Sequence, residues 1–144
     1  MGVRLVVLPP VLHCMLKGYR NSRKQGDVGL AAAIYYFAAK EYTVCVPLTD
    51  SQKFDLIVEK NNKVERVQAK TTSHRDRKTG PFKVSLRTCG GNRSNGNRVV
   101  PFDHNAVDLV FVLCDDGSKY LIPVGAVSGS CFNLGAAFEQ YKVR

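Results

Sequence analysis

Three polar residues lie on two neighbouring apolar segments, and their types suit a metal-dependent hydrolytic site. Asp55 lies in the segment 54–58, and Gln68 and Lys70 lie in the segment 64–72. Side chains two residues apart on a strand share a face, so Gln68 and Lys70 point together. If the two segments form a hairpin with Asp55 on that face, the three groups converge. Burying such groups without partners would cost roughly 1–3 kcal/mol each, so a cluster of this kind needs a polar or charged partner.

A magnesium ion would be such a partner. The carboxylate of Asp55, the amide oxygen of Gln68 and the backbone carbonyl of Ala69 are hard oxygen donors of the kind that magnesium prefers. Lys70 could then orient or help to deprotonate a water molecule, or stabilise charge that develops on a phosphate. The alternative is that Asp55 ends a turn and that Gln68 and Lys70 lie on a solvent-facing strand edge. The spacing alone leaves both interpretations open.

The elements that must position these residues follow an α/β order. The alanine-rich segment 27–40 has Leu30, Ile34 and Phe37 at helical spacing and Asp27 in its first turn, where a carboxylate complements the helix dipole. β-Branched and apolar runs between turn residues predict strands, the segment 107–114 being apolar enough to be buried on both faces. The predicted strands cover residues 42–47, 54–58, 64–72, 82–88, 107–114 and 119–124. A short helix is predicted at 132–142.

The chain length of 144 residues favours a single domain with its own core. Pro9 and Pro10 interrupt the short apolar run at the start, and a second methionine follows at Met15. We therefore interpret residues 1–16 as a poorly ordered N-terminal extension and 17–144 as the domain. No apolar run reaches the roughly 20 residues that span a bilayer, so no membrane association is expected. The five cysteines lack C-x-x-C spacing, which favours buried, reduced thiols in the cytoplasm over a zinc site.

The charge balance indicates a polyanionic partner. The chain has 21 lysines and arginines against 12 acids, a net charge of +9. Between residues 66 and 98, nine basic residues accompany one acid, in a stretch that includes a loop rich in glycine and asparagine. Such a loop suits contact with phosphates. Nucleic acid is favoured over a membrane, since no basic amphipathic helix with an aromatic face is present.

Four segments in order resemble the PD-(D/E)XK nuclease superfamily. They are Gly26-Asp-Val-Gly with the following helix, Tyr42-Thr-Val-Cys-Val-Pro-Leu, Phe54-Asp-Leu-Ile-Val and Val67-Gln-Ala-Lys-Thr-Thr. The resemblance is closest to a small branch that includes a group I intron-encoded homing endonuclease, in which glutamine replaces the last acid to give Q-x-K. It covers about residues 22–127 and implies an α/β, restriction-endonuclease-like core with a mixed β-sheet flanked by helices.

The resemblance also implies roles for individual residues. Asp55 stands at the metal-binding acid, Gln68 at the second acid position and Lys70 at the lysine of the motif. The preceding helix in such nucleases usually provides a further acid, and the aligned position here is Leu30. Asp27, one turn earlier, could take that catalytic and metal-binding role. The proline that gives the motif its name is absent, and Phe54 precedes Asp55 instead.

From this resemblance we expect a magnesium-dependent endonuclease that acts on double-stranded DNA, site-specific like a homing endonuclease, with Mn²⁺ able to substitute. A homodimer or homotetramer is expected, because one small subunit must be joined by another to cut both strands. A DNA-binding protein of the same fold with weak or no catalysis stays open, as does a Holliday-junction-resolvase or restriction-type nuclease. The residues expected to contact DNA are Arg75, Arg77, Lys78, Lys83, Ser85, Arg87, Arg93 and Arg98.

Overall fold

One helix and a six-stranded mixed sheet form the body of the protein. The computed structural model describes residues 16, 21–49, 51–89 and 99–144. Helix α1 covers Ser22–Ala39, and short 3-10 helices cover Val124–Ala126 and Ala136–Tyr141. The strands are β1 Thr43–Cys45, β2 Leu56–Lys60, β3 Lys63–Thr72, β4 Lys83–Ser85, β5 Thr88–Cys89, β6 Val99–Val100, β7 Leu109–Cys114, β8 Lys119–Pro123, β9 Cys131–Asn133 and β10 Lys142–Val143.

The main sheet has the order β1-β2-β3-β7-β8-β10, and β3 and β7 form its parallel pair. Between β2 and β3 the chain turns through Asn61 and Asn62, whose φ angles are 54° and 63°. Two consecutive left-handed residues are the requirement of a type I′ hairpin turn, and asparagine tolerates this conformation better than most residues. The hairpin that the sequence predicts between Asp55 and Gln68 is therefore confirmed.

The main sheet is covered on both faces. One face packs Val67 and Phe111 against Ala33 and Phe37 of α1, and the opposite face packs Val112 under residues of β4. Successive residues of β7 thus enter two different apolar clusters. This explains why the segment 107–114 is apolar throughout, as the sequence analysis expected of a strand buried on both faces.

Helix α1 begins five residues before the predicted start. The Asn21 side chain accepts a hydrogen bond from the backbone N–H of Arg23 at 2.9 Å and caps the first turn. The expectation that Asp27 lies in the first turn is therefore wrong, because the helix already begins at Ser22. The buried residues Gly29, Ala33 and Phe37 recur every fourth position and form the stripe that faces the sheet.

Leu16 lies inside the core. Its side chain is fully buried, its N–H donates to the buried Asp115 carboxylate at 2.8 Å, and its carbonyl accepts from Gln25 Nε2 at 3.1 Å. The ordered core therefore includes the last residue of the segment 1–16 that we interpreted as an extension. Residues 1–15 lie outside the described part of the chain.

The C-terminal segment differs from its prediction. Residues 132–142 were expected to form a helix, but β9, a 3-10 helix and β10 occupy this stretch. β9 pairs with β4, and β10 adds an edge strand to β8. Two of the thiols expected to be buried, those of Cys45 and Cys131, are exposed, whereas Cys114 is buried. Within the described residues, no helix is both long enough and apolar enough to cross a lipid bilayer.

Gly29 sets how closely α1 approaches β3. A Cβ atom at Gly29 would overlap Cγ2 of Thr71, whereas one at Gly26 would meet nothing within 4 Å. We expect Gly29→Ala to lower the free energy of unfolding by about 1–3 kcal/mol through overpacking. Gly26→Ala should raise it by up to about 1 kcal/mol, because alanine is the better helix former. Urea unfolding followed by circular dichroism measures both.

A second change tests the cause of the Gly29 effect. Thr71→Ser removes the Cγ2 methyl group that the new Cβ would overlap, so it should recover most of the loss when combined with Gly29→Ala. Equal effects of Gly29→Ala and Gly26→Ala, or no recovery in the double variant, would contradict the close packing.

Candidate active site

The site forms where β2 separates from β3. The Asp55 N–H donates at 2.9 Å to the Val67 carbonyl, which the register places opposite Leu56, so the pairing is out of register one residue before β2, as in a β-bulge. The next N–H on this edge of β3, that of Ala69, donates to Asp55 Oδ2 at 2.7 Å. A side-chain carboxylate thus takes the place that a backbone carbonyl of the preceding chain would hold in a continued ladder. The main sheet therefore opens between β2 and β3 at Asp55 and Ala69. We call this side of β3 the opened edge.

Gln68 meets the same carboxylate. Its Nε2 donates to Asp55 Oδ2 at 2.7 Å, and both side chains are partly buried. Val67 and Ala69 pack with the cluster under α1, so the intervening Gln68 and the next alternate residue, Lys70, point to the opposite face. The structure therefore brings Asp55 and Gln68 into direct contact, as the hairpin alternation predicts.

The electrostatics of Asp55 are those of a partly buried anion. Burial raises the pKa of the Asp55 carboxyl group, and this is the largest influence on it. The hydrogen bond from Ala69 and the positive charge of Lys70 act in the opposite direction and lower the pKa. Lys70 is thus close enough to stabilise the ionised carboxylate. A bound cation would stabilise it in the same sense.

The groups at the opened edge are oxygen donors that suit a magnesium ion. Water and a substrate phosphate would complete the coordination shell of that ion. The N–H and C=O of one strand residue point to the same side of the strand, so the Ala69 carbonyl faces the edge at which Asp55 lies. Magnesium sites commonly use one or two carboxylates with water and substrate phosphates. Asp55, the Ala69 carbonyl and the Gln68 amide oxygen match that pattern with one formal negative charge. Among the described residues, no three histidines, cysteines or acids cluster closely enough to hold a metal.

At the position aligned to the further acid of the family, helix α1 carries Leu30. A Cβ at Gly29 would lie 3.8 Å from the Lys70 carbonyl oxygen, and Leu30 is the next residue. Leu30 is partly buried and packs against the apolar cluster under the helix. Asp27 lies two residues before Gly29, a rotation of about 200° around the helix, and is exposed. Asp27 lies three residues before Leu30, on the same side of α1, and its catalytic and metal-binding role stays a prediction.

The residues expected to contact DNA, apart from Arg75, are either exposed or outside the described part of the chain. Arg77, Lys78, Lys83, Ser85 and Arg87 are exposed. Arg93 and Arg98 lie outside the described residues.

Arg75 is held within the protein. It lies 3.7 Å from the centre of the Phe82 ring and donates to the Gly80 carbonyl at 2.8 Å and to Asp116 at 3.4 Å. Arg66, part of the same basic stretch, forms a bidentate pair with Asp108, with both N···O distances at 2.9 Å. These two arginines therefore order loops and strands, and the DNA contact expected of Arg75 stays a prediction.

Asn133 is an exposed polar residue that the sequence analysis did not single out. It lies on β9 opposite Lys83 of β4, and the register pairs Ser85 with Cys131 in the same way. The segment was predicted to be helical, which hid its alternation. Phe132 and Leu134, each flanked by polar or small residues, are the signal that could have indicated a strand.

Comparison with known proteins agrees with this architecture. Residues 20–139 match the family described as PD-(D/E)XK endonuclease, and the chain belongs to this family. The fold is similar to that of a bacterial homing endonuclease, I-Ssp6803I, with a TM-score of 0.69 and 24% sequence identity over 85% of this chain and 88% of that chain. No curated protein matches the chain. The family resemblance and the mixed α/β fold inferred from the sequence are confirmed.

Proposed function

We propose that this chain is a magnesium-dependent endonuclease that hydrolyses phosphodiester bonds of double-stranded DNA at a defined target site. The observation that carries the proposal is the opened edge of β3, where the Asp55 carboxylate meets Gln68 and Ala69 beside Lys70. Membership of the endonuclease family supports the reaction. The similar fold of I-Ssp6803I, a homing endonuclease, supports site specificity. Mn²⁺ is expected to replace magnesium.

The assembly and location follow from the same proposal. One subunit carries one such edge and would cut one strand, so cleavage of both strands calls for a homodimer or homotetramer. The exposed Cys45 and Cys131 are free thiols, which suits the reducing cytoplasm. The exposed basic residues Arg77, Lys78 and Lys83 would position the DNA backbone.

In this mechanism the protein positions charge around the scissile phosphate. Asp55, the Ala69 carbonyl and the Gln68 amide oxygen would hold the ion, whose chemistry is neutralisation of phosphate charge and a lowered pKa of water. The ammonium group of Lys70 would donate to the attacking water or to a phosphate oxygen, stabilising the negative charge that develops there. The hydrogen bond from Ala69 keeps Asp55 oriented toward the edge.

Lys70→Ala tests the proposed role of the lysine. We expect its rate of Mg²⁺-dependent nicking of supercoiled plasmid to fall by about 100-fold or more, the usual effect of losing a proton-transfer or charge-stabilising group. DNA affinity, measured by gel shift in EDTA, should change only a few-fold. Lys24→Ala, at an exposed position of α1, is the matched control and should retain activity. Full activity of Lys70→Ala would overturn the assignment.

Leu30 favours a second candidate, a DNA-binding protein of the same fold with weak or no catalysis. With leucine at this position, the protein itself supplies one negative charge to the ion. By the family resemblance, position 30 is where such nucleases usually carry a further acid toward the metal, so an acid at position 30 would add a second charge. Such a protein would bind DNA with a steep salt dependence and would not nick it in Mg²⁺ or Mn²⁺.

Leu30→Glu distinguishes these candidates, with Leu30→Gln as the uncharged control of equal size. We expect Leu30→Glu to bind Mn²⁺ about tenfold more tightly or better in calorimetry without DNA, because ligand charge sets the affinity of such sites. Nicking by the wild type, strengthened in Leu30→Glu, supports the endonuclease. Nicking by Leu30→Glu alone supports the second candidate. Equal Mn²⁺ affinity of the Glu and Gln variants would contradict a site beside α1.

A further inference from the structure

A two-stranded ribbon lies on the face of the main sheet opposite α1. β4 and β9 pair antiparallel, and backbone bonds of 2.8 Å from Leu86 N to the Ser130 carbonyl and from Leu134 N to the Phe82 carbonyl extend the pairing at both ends. The inner side chains of the ribbon enter the apolar core. These are Phe82, Val84, Leu86 and Leu134, all buried.

The outer face of the ribbon consists of Lys83, Ser85, Arg87, Cys131 and Asn133, all exposed. It carries two cationic groups, a hydroxyl and an amide, and no carboxylate is among its five side chains. Asp76 approaches from one end, accepting from Asn133 Nδ2 at 3.4 Å. Such a face complements a polyanion and also carries side chains that can hydrogen-bond to bases.

The dimensions of the outer face match the DNA major groove. Lys83 and Arg87 are four residues apart, a span of about 13 Å at roughly 3.3 Å per residue. At about 3.4 Å per base along one strand, this span covers approximately four base-pair steps. Two strands lie about 4.8 Å apart, and the groove, about 12 Å wide, accommodates a two-stranded ribbon.

The ribbon is attached to the strand that carries the candidate site. The buried Thr72 Oγ1 donates to the Lys83 carbonyl at 2.6 Å, and the Lys83 N–H donates to the His74 carbonyl at 2.9 Å. Thr72 follows Lys70 by two residues on β3, on the same face of the strand. Bases read by the ribbon would therefore stand at a fixed offset from the phosphate bound beside Lys70.

We propose that the ribbon enters the major groove and that Asn133 and Arg87 determine specificity by reading base edges. Asparagine pairs with the N6 and N7 positions of adenine, and arginine pairs with O6 and N7 of guanine. Lys83 and Ser85 contact the flanking phosphates or bases. The inference rests on the proposed DNA substrate, but it concerns recognition and not cleavage.

The test is selection of duplexes from a randomised library by the immobilised full chain in EDTA, followed by sequencing. The wild type should enrich a short site. Asn133→Ala and Arg87→Ala should each lower the preference at one or two adjacent positions by roughly tenfold or more, with other positions retained. Asn105→Ala and Arg23→Ala, exposed residues away from the ribbon, are matched controls that should keep the wild-type preference.

The outcomes separate recognition from function. Unchanged preferences in both ribbon variants, or a uniform loss of affinity at every position, would overturn the inference while Mg²⁺-dependent nicking still supported the proposed function. Enrichment of no site by the wild type would also overturn it. Position-specific losses would support the ribbon as the reading element even if no nicking were observed.

Discussion

The hydrogen bond from the Ala69 N–H to Asp55 Oδ2 is the interaction on which the site depends. In an uninterrupted sheet this N–H would bond to a backbone carbonyl of the neighbouring strand. Here the neighbouring chain turns away at Asp55, and its carboxylate satisfies the donor instead. A buried N–H without a partner would cost roughly 1–3 kcal/mol, so the opening requires an acceptor at this position. The same carboxylate is the acid of the proposed metal site.

Several contacts keep the strands around this opening in register. Arg66 donates through its backbone N–H and its guanidinium to Asp108, which ties the start of β3 to the start of β7. Lys53, two residues before Asp55, pairs with Asp103 at 2.9 Å. Exposed ion pairs of this kind contribute about 0–1 kcal/mol each, so their value here is geometric.

Packing limits the opening from both faces. On one face α1 approaches β3 at Gly29, and on the other the β4–β9 ribbon is bound through Thr72. β3 is therefore held between two layers along the residues that follow Ala69. A strand fixed in this way keeps Gln68, Ala69 and Lys70 in constant relation to Asp55.

Local patterns predicted the parts of the fold that local chemistry determines. The β2–β3 hairpin follows from two asparagines, β7 from its continuous apolar run, and the burial of Phe82, Val84 and Leu86 from their alternation. The contact between Asp55 and Gln68 follows from the same hairpin.

Features that depend on distant partners were not predictable. β9 forms because its residues pair with β4, almost 50 positions earlier in the chain. Leu16 is ordered by Asp115, at the opposite end of the sequence. The stacking of Arg75 on Phe82 and its hydrogen bond to Asp116 were not predictable, because both partners are set by the tertiary fold. Asp27 lies in the second turn of α1 and not in the first, because the helix starts after the Asn21 cap.

The most direct measurement is the anomalous scattering of Mn²⁺ in a crystal of the protein with a DNA duplex. A peak on the order of 2 Å from the Asp55 carboxylate and the Ala69 carbonyl oxygen, with a phosphate in the same shell, is the predicted result. Density at other acids only, with Asp55 still bonded solely to Gln68 and Ala69, would contradict a metal-dependent site at the opened edge.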